Sequence, residues 1–273
     1  MKKAYLSLIG ICLVASSCQR VVSNVDLPTI ERKTVAQAGI SNLSDFHVVT
    51  LTKSNPIFNS RAGDFEVVEG ASVIIEGENV RDSFTFSDEL EKYTAPNQNT
   101  FVVGEEYRLL VKTPDGKELS GVAYMPKKPL NVNATLDSTV DGDETLFEYE
   151  ITWDRTATTD DYYMVEVMAI YKFDNTLDTT SWYVNRPYIK GEDSDQTTLK
   201  RKGSFREFSG PFFETDLHKL IYVVSGITKE HYEYGQFLYD YDPENPFSEP
   251  VSIPTNIQNG LGMFVLKNSV QVE

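Results

Sequence analysis

One pattern limits the fold of this chain more than any other: short runs of β-branched and aromatic residues, each cut off by Gly, Pro, Asn or Asp. Residues 34–38, 47–53, 71–76 and 83–86 form the first four such runs. Two more, 107–113 and 118–125, flank Pro114-Asp115-Gly116. Pro presets that turn and Gly accepts a positive φ, which together make a hairpin signal. Roughly seven short strands in about 95 residues, with no long helix, is the pattern of an immunoglobulin-like sandwich. The chain carries 15 Tyr and 15 Phe, and aromatic side chains suit a pleated, half-buried surface.

Pro126-Lys127-Lys128-Pro129 marks the boundary of this unit, because paired prolines interrupt strand pairing and stiffen a join. The chain therefore divides into an N-terminal sandwich over 32–129 and a second, mainly β domain over 130–273. The second domain opens with residues 147–153, which alternate apolar and polar strictly and end at Trp153, followed by a Tyr-rich run at 162–173. A Trp strand, a short polar loop and a Tyr-rich strand look like the start of a fibronectin type III sandwich. Further strands are expected at 181–188 and 219–225, and the polar segment 190–210 reads as a long loop between them. One short helix is expected at 229–240: Thr228 is its N-cap, Ile227 and Tyr232 form a hydrophobic staple, and Glu230 sits in the first turn. Gly235 within it costs about 1 kcal/mol. Residues 256–265 read as a turn feeding a last strand.

The start of the chain supplies an address. Lys2 and Lys3, an apolar run over 4–14 and the small residues Ala15-Ser16-Ser17 are the parts of a secretory signal. The run is far below the ~20 apolar residues that span a bilayer. Cys18 directly after the small residues resembles a bacterial lipobox, in which that Cys is lipidated. Ala15 stands where Leu is usual, and the same residues also suit ordinary secretion with Cys18 left as a free thiol. On the lipidated reading, 1–17 is the signal peptide, 18–31 a tether, and the lipid holds the protein on a membrane without a spanning segment. Cys12 leaves with the signal, so the mature chain has a single Cys and no internal disulfide.

Net charge is −16, and loss of Lys2 and Lys3 takes it to −18. That balance argues against nucleic acid or anionic phospholipid as the main partner. No catalytic or nucleotide-binding motif occurs, and His47, His218 and His231 have no metal-ligand spacing. No enzymatic activity and no cofactor are expected. His47 reads as a sheet-surface residue and His231 as a first-turn helix residue. Asp137, Asp141, Asp143 and Glu144, and separately Glu192, Asp193 and Asp195, form acidic clusters without EF-hand spacing. Two features are candidates for ligand or partner contact. Trp182 and Tyr183 are adjacent, so in a strand they point to opposite faces and only one is readily core. Lys200-Arg201-Lys202 is the one strong basic run in an acidic chain and suits an acidic partner surface.

Several stretches, in order, resemble the DUF4249 family of Bacteroidota outer-membrane lipoproteins. They are Val25-Asp26-Leu27-Pro28, residues 48–56, Gly70-Ala71-Ser72-Val73, residues 104–109 and Asp161-Tyr162-Tyr163, then 228–234, Asn245-Pro246-Phe247 and 256–264. The resemblance implies no catalytic residues. It implies a lipid-anchored accessory role at the outer membrane beside a TonB-dependent nutrient transporter; the alternative, drawn from aromatics such as Trp182 and Tyr183, is independent capture of a surface glycan or peptide. Surface-exposed lipoproteins of this kind tend to carry an acidic run after the Cys. Gln19-Arg20-Val21-Val22 departs from it, which leaves the membrane face open.

Overall fold

The computed structural model describes residues 31–55, 65–142, 144–156, 161–173, 176–191, 196–208, 216–241 and 253–273. The signal, Cys18 and the tether up to residue 30 lie outside them, as do Asp143, Glu192, Asp193 and Asp195. The described chain is mainly β, with two sandwiches and one helix.

The first sandwich uses β1 (Thr34–Ser41), β2 (Phe46–Lys53), β3 (Ser72–Glu76), β4 (Arg81–Ser87), β5 (Lys92–Pro96), β6 (Glu106–Lys112) and β7 (Glu118–Tyr124). Burial alternates along nearly all of them, as one buried face per strand requires. The inward set includes Ala36, Ile40, Leu51, Tyr93, Tyr107 and Leu109. β4 turns the corner between the two layers, since its first half pairs with β3 and its second with β5. His47 belongs to the inward set of β2, not to the sheet surface expected for it. It is 1% exposed and meets Phe101 edge-on, with centroids 5.4 Å apart. The period of two that buries Val49 and Leu51 buries His47 as well.

The second sandwich stacks β11 (Thr176–Lys190), β10 (Tyr162–Phe173) and β13 (Asp216–Ile227) against β12 (Thr198–Phe208), β9 (Glu144–Asp154) and β8 (Leu130–Asp141). Its core centres on Trp153, which packs edge-on against Tyr163. The loop expected over 190–210 is here largely a strand. In β12, Leu199 and Phe205 are buried with Arg201 and Gly203 between them on the same side, while Lys200, Lys202, Ser204 and Arg206 face out. A basic outer row hid an apolar inner one. β5 and β8 were not anticipated either. β5 is short, and most of β8 is exposed.

The second unit does not close on itself at the end of 130–273. β14 (Ile257–Gln258) pairs with β7, and β15 (Leu261–Val272) serves both sandwiches. From Leu261 to Lys267 it runs parallel to β1. From Asn268 to Val272 it runs antiparallel to β13. Ile257, Phe264 and Leu266 thus complete the first core, and Val270 and Val272 pack on the second. Asn256 fixes the return. Its Nδ2 donates to the carbonyls of Val122 (3.0 Å) and Phe264 (2.7 Å), and its Oδ1 accepts from Phe264 N at 2.8 Å.

A polar knot, buried at Ser225, Asn268 and Ser269 and exposed at Asn42, marks the handover. Asn42 Oδ1 accepts from Ser269 N at 2.6 Å and its Nδ2 donates to Ser269 O at 3.0 Å. The hydroxyls of Ser225 and Ser269 lie 2.7 Å apart, and Asn268 Nδ2 donates to Pro126 O at 3.1 Å. The helix α1 (Lys229–Asp240) lies on the outer face of the β11–β10–β13–β15 layer. Thr228 caps it, accepting from His231 N, and Ile227 and Tyr232 join Tyr162 and Met164 in a small cluster. At Gly235 a Cβ would collide with the ring of Tyr188, so this residue lets α1 approach β11 closely.

Gly262 has φ +109°, and a Cβ there would strike the carbonyl of Ala36 on β1. Gly262→Ala is expected to destabilise the protein by about 2–3 kcal/mol. It is also expected to shift one cooperative thermal transition, because β15 ties both sandwiches. Two separated transitions, with only one displaced, would disprove that coupling.

Candidate functional site

Two clefts border the helix. The first, about 620 Å³, lies where the sandwiches meet, among Tyr124, Pro126, Lys127, Asp161, Tyr162 and the first turn of α1. Its charges are mixed, with Lys127 and Lys229 facing Asp161 and Glu230. Asp161 is committed to structure. Arg155 grips it in a fork, Nε to Oδ2 at 3.0 Å and Nη2 to Oδ1 at 2.9 Å. Tyr163 donates to Oδ2 at 3.1 Å, and Thr156 N donates to the Tyr163 hydroxyl at 2.8 Å. The Asp161 side chain is 1% exposed and that of Arg155 13%.

The second cleft, about 460 Å³, opens between the end of β11, the start of β12 and α1. Arg186, Lys190, Lys200 and Arg201 line it with Tyr188 and Tyr232; Gln196 and Gln236 complete its polar wall. No Asp or Glu is among its described lining residues. Arg201 Nη2 donates to the carbonyl of Arg186 at 2.9 Å, and Arg186 holds a positive φ of 55°. Gln236 Nε2 reaches the carbonyl of Tyr188 at 3.4 Å.

The candidate contact residues separate accordingly. Lys200 and Arg201 come to this cleft. Lys202 does not: it lies on the outer face of the three-stranded layer, paired with Glu150 at 2.8 Å. Beside it Arg206 pairs with Glu144 at 2.7 Å, so the acidic row of β9 neutralises the outer basic row of β12. Trp182 and Tyr183 lie on β11 opposite Val167 and Glu166 of β10; their side chains are outside the described residues. Arg186 and Gln236 were missed, since each is isolated in sequence and only the meeting of β11 with α1 assembles them beside Tyr188. Asp137, Asp141 and Glu144 sit on the β8–β9 hairpin, and no group of three metal-binding side chains occurs among the described residues.

His231 is 8% exposed. Burial, and then the positive charge of Lys267, push its pKa down from 6.5 to about 4. Burial also lowers the pKa of His47, against the opposing pull of Asp82 and Asn97.

The stretches that carry the family resemblance mostly hold the fold. Tyr107 accepts from Val102 N at 2.7 Å, Asp161 and Tyr163 form the lock above, Thr228 caps α1 and Asn256 clamps β15. A two-sandwich β protein with a cationic cleft at one layer edge is the class these features define. The model of DUF4249, a domain of unknown function, matches residues 23–272, and the chain belongs to that family. Among solved structures, the chain is similar to a cytokine receptor complex at 13% identity, covering 73% of this chain and 92% of that one, with a TM-score of 0.24. It is similar to the FN1–FN3 domains of chicken CNTN1 at 13% identity, covering 74% and 61%, with a TM-score of 0.25. Nothing about function follows from likeness at that level. No curated protein matches the chain.

Two outcomes follow from these groups. Asp161→Asn leaves Arg155 buried without its counter-charge and is expected to cost about 3–5 kcal/mol in denaturant unfolding. His231 is neutral when folded and binds a proton more readily when unfolded. Its contribution is therefore complete above pH 6.5 and is lost as pH falls toward 4. A decline of about 3 kcal/mol over that window is expected from this group. His231→Leu should flatten it, leaving the slope due to His47 and to the hydrogen-bonded carboxylates such as Glu106 and Asp154. An unchanged profile would refute the assignment.

Proposed function

We propose that this protein is a non-catalytic, lipid-anchored module of the outer membrane that serves as accessory partner to a TonB-dependent nutrient transporter. The observation that carries the reading is mechanical. β15 belongs to both sandwiches, so the chain presents its clefts and loops on one body of fixed geometry. Such a body suits docking beside a larger protein, because little ordering is required on association. The anchor is the acylated Cys18, reached through the tether at 18–31; no helix among the described residues is long and apolar enough to cross a membrane. The net charge of −16 keeps nucleic acid out of the list of partners. A second reading, capture of a surface glycan or peptide without a transporter, draws its support from the cationic cleft.

Mild-detergent pull-down of the tagged full-length protein from its native outer membrane should bring a TonB-dependent transporter in stoichiometric amount. Recovery of the protein alone would remove the transporter and favour the second reading. Labelling with a fatty-acid analogue should mark the wild type and vanish in Cys18→Ala; persistent labelling would end the lipoprotein assignment.

A further inference from the structure

We propose that the edge of β8 over Asn133–Asp141 takes up an extended segment of a partner protein as an added strand, one with basic side chains on its outer face and apolar ones on its inner face. The inference rests on the reading of the protein as a docking module and names the chemistry of its partner.

Comparison of the sheet edges is the first argument. Among the described strands, β11, β14, β12 and β8 stand at the ends of the two sheets. An end strand offers unpaired N–H and C=O groups, and proteins blunt such edges with Lys, Pro, bulges or short length. Three of these strands follow that rule. β14 has two residues, β11 is broken by the positive φ of Arg186 and by Pro187, and β12 carries Lys200, Arg201, Lys202 and Arg206. β8 differs. Over Asn133–Asp141 it pairs with β9 without a register shift and holds no Pro, Gly, Lys or Arg. Its one irregularity comes earlier, between Leu130 and Asn133. Every residue from Thr135 to Asp141 is exposed. A regular antiparallel strand of that span is about 30 Å long, and every second residue turns its N–H and C=O away from the strand it already pairs with.

The two faces of β8 specify the incoming strand. Its inner row is Ala134, Leu136, Ser138 and Val140, opposite Ile151, Tyr149, Phe147 and Thr145 of β9. Ala134 still packs on the second core, whereas Leu136 is 41% exposed and Val140 72%. The apolar row thus runs past the core that covers its start, and apolar side chains beside it would be drawn out of water. The outer row is acidic. Asp137 stands opposite Glu148, and Asp141 opposite Glu144. Like charges directly opposed destabilise a sheet. On the β12 side, Lys202 pairs with Glu150 and Arg206 with Glu144. Lys or Arg on a strand added at the other side would do the same for Asp137 and Asp141.

A second copy of this chain is the poorer occupant. Two β8 edges paired together would gather the aspartates and glutamates of both copies, in a chain whose net charge is −16. The acidic row therefore turns copies away and admits a basic strand, so that one device both guards the edge and selects its partner. Main-chain hydrogen bonds would supply affinity, and the alternating rows specificity. The position of β8 agrees. It begins directly after the Pro126–Pro129 join and runs away from the first sandwich, which the tether enters at β1. The open edge thus stands at the end of the molecule remote from the tether.

Fluorescence anisotropy on the full chain in mild detergent tests this with three short labelled peptides: alternating Val and Lys, alternating Val and Glu, and the Val and Lys composition in scrambled order. The alternating Val–Lys peptide should bind, and the other two about tenfold more weakly or not at all. Its binding should protect amides within Thr135–Asp141 from hydrogen exchange. Affinity should fall about fivefold in Asp137→Asn/Asp141→Asn. It should stay unchanged in Asp88→Asn/Glu89→Gln, which makes the same change of charge on the exposed β4–β5 turn. Leu136→Lys, at an exposed position, installs the residue that blunts natural edges and should abolish binding. No binding, equal binding of the scrambled peptide, or no protection on β8 would overturn the proposal. So would an equal loss in the two charge variants, or self-association of the chain through β8 in sedimentation. If the peptide fails while a transporter still co-purifies, the edge is wrong and the module reading stands. If the peptide binds and no transporter is recovered, the edge stands and the transporter falls.

Discussion

Everything in this molecule hangs on the double pairing of one strand. The first half of β15 is hydrogen-bonded to β1 and the second half to β13. A backbone cannot pass from one sheet to another without leaving donors and acceptors exposed at the crossing. The knot of Asn42, Ser225, Asn268 and Ser269 meets that demand with side chains. The buried members, Ser225, Asn268 and Ser269, are tolerated only when satisfied, and once satisfied they specify a single arrangement. The relative placement of the sandwiches is therefore set by hydrogen bonds, with the Pro126–Pro129 join held down by one of them.

The helix depends on the same frame. α1 follows β13 directly and lies on the layer that β15 enters. Lys267, the last residue of β15 paired with β1, reaches Glu166 on β10 at 2.8 Å and contributes to the depressed pKa of His231 in the first turn of the helix. Tyr188, at the end of β11, is pressed between Gly235 and the edge of His231. Moving the helix would move one wall of the cationic cleft, so the cleft is as firm as the sheet beneath it.

Much of this was legible in the residues. The strict alternation ending at Trp153 and the Tyr-rich run at 162–173 specify two strands of one core, and both exist. The capping pattern at Ile227, Thr228 and Tyr232 specifies where α1 begins, because the signal is local and chemical. What stayed hidden was long-range. Gly235 reads as a weakness until Tyr188 is beside it. The run at 198–208 reads as a loop because its basic residues outnumber its apolar ones, and only the partner strand β9 reveals which alternate positions are inside. Residues 256–265 announce a turn and a strand, but nothing local says that the strand pairs with Thr34–Ser41. The cleft is legible only in part for the same reason: the basic run was visible, while the division of Arg201 from Lys202 depends on which face each occupies.

Strand order gives β15 a further meaning in time. The Ser41 and Ser269 hydroxyls stand 3.5 Å apart in space and 228 positions apart in sequence. Contacts of that separation form late, because a long loop must close before they contribute anything. β15 follows every other described strand. A ribosome therefore releases both sandwiches unfinished, with β1 and β13 each lacking a neighbour, until the closing strand emerges. Until it does, the order of synthesis leaves each sandwich one strand short, and completion of both cores waits on the last residues of the chain.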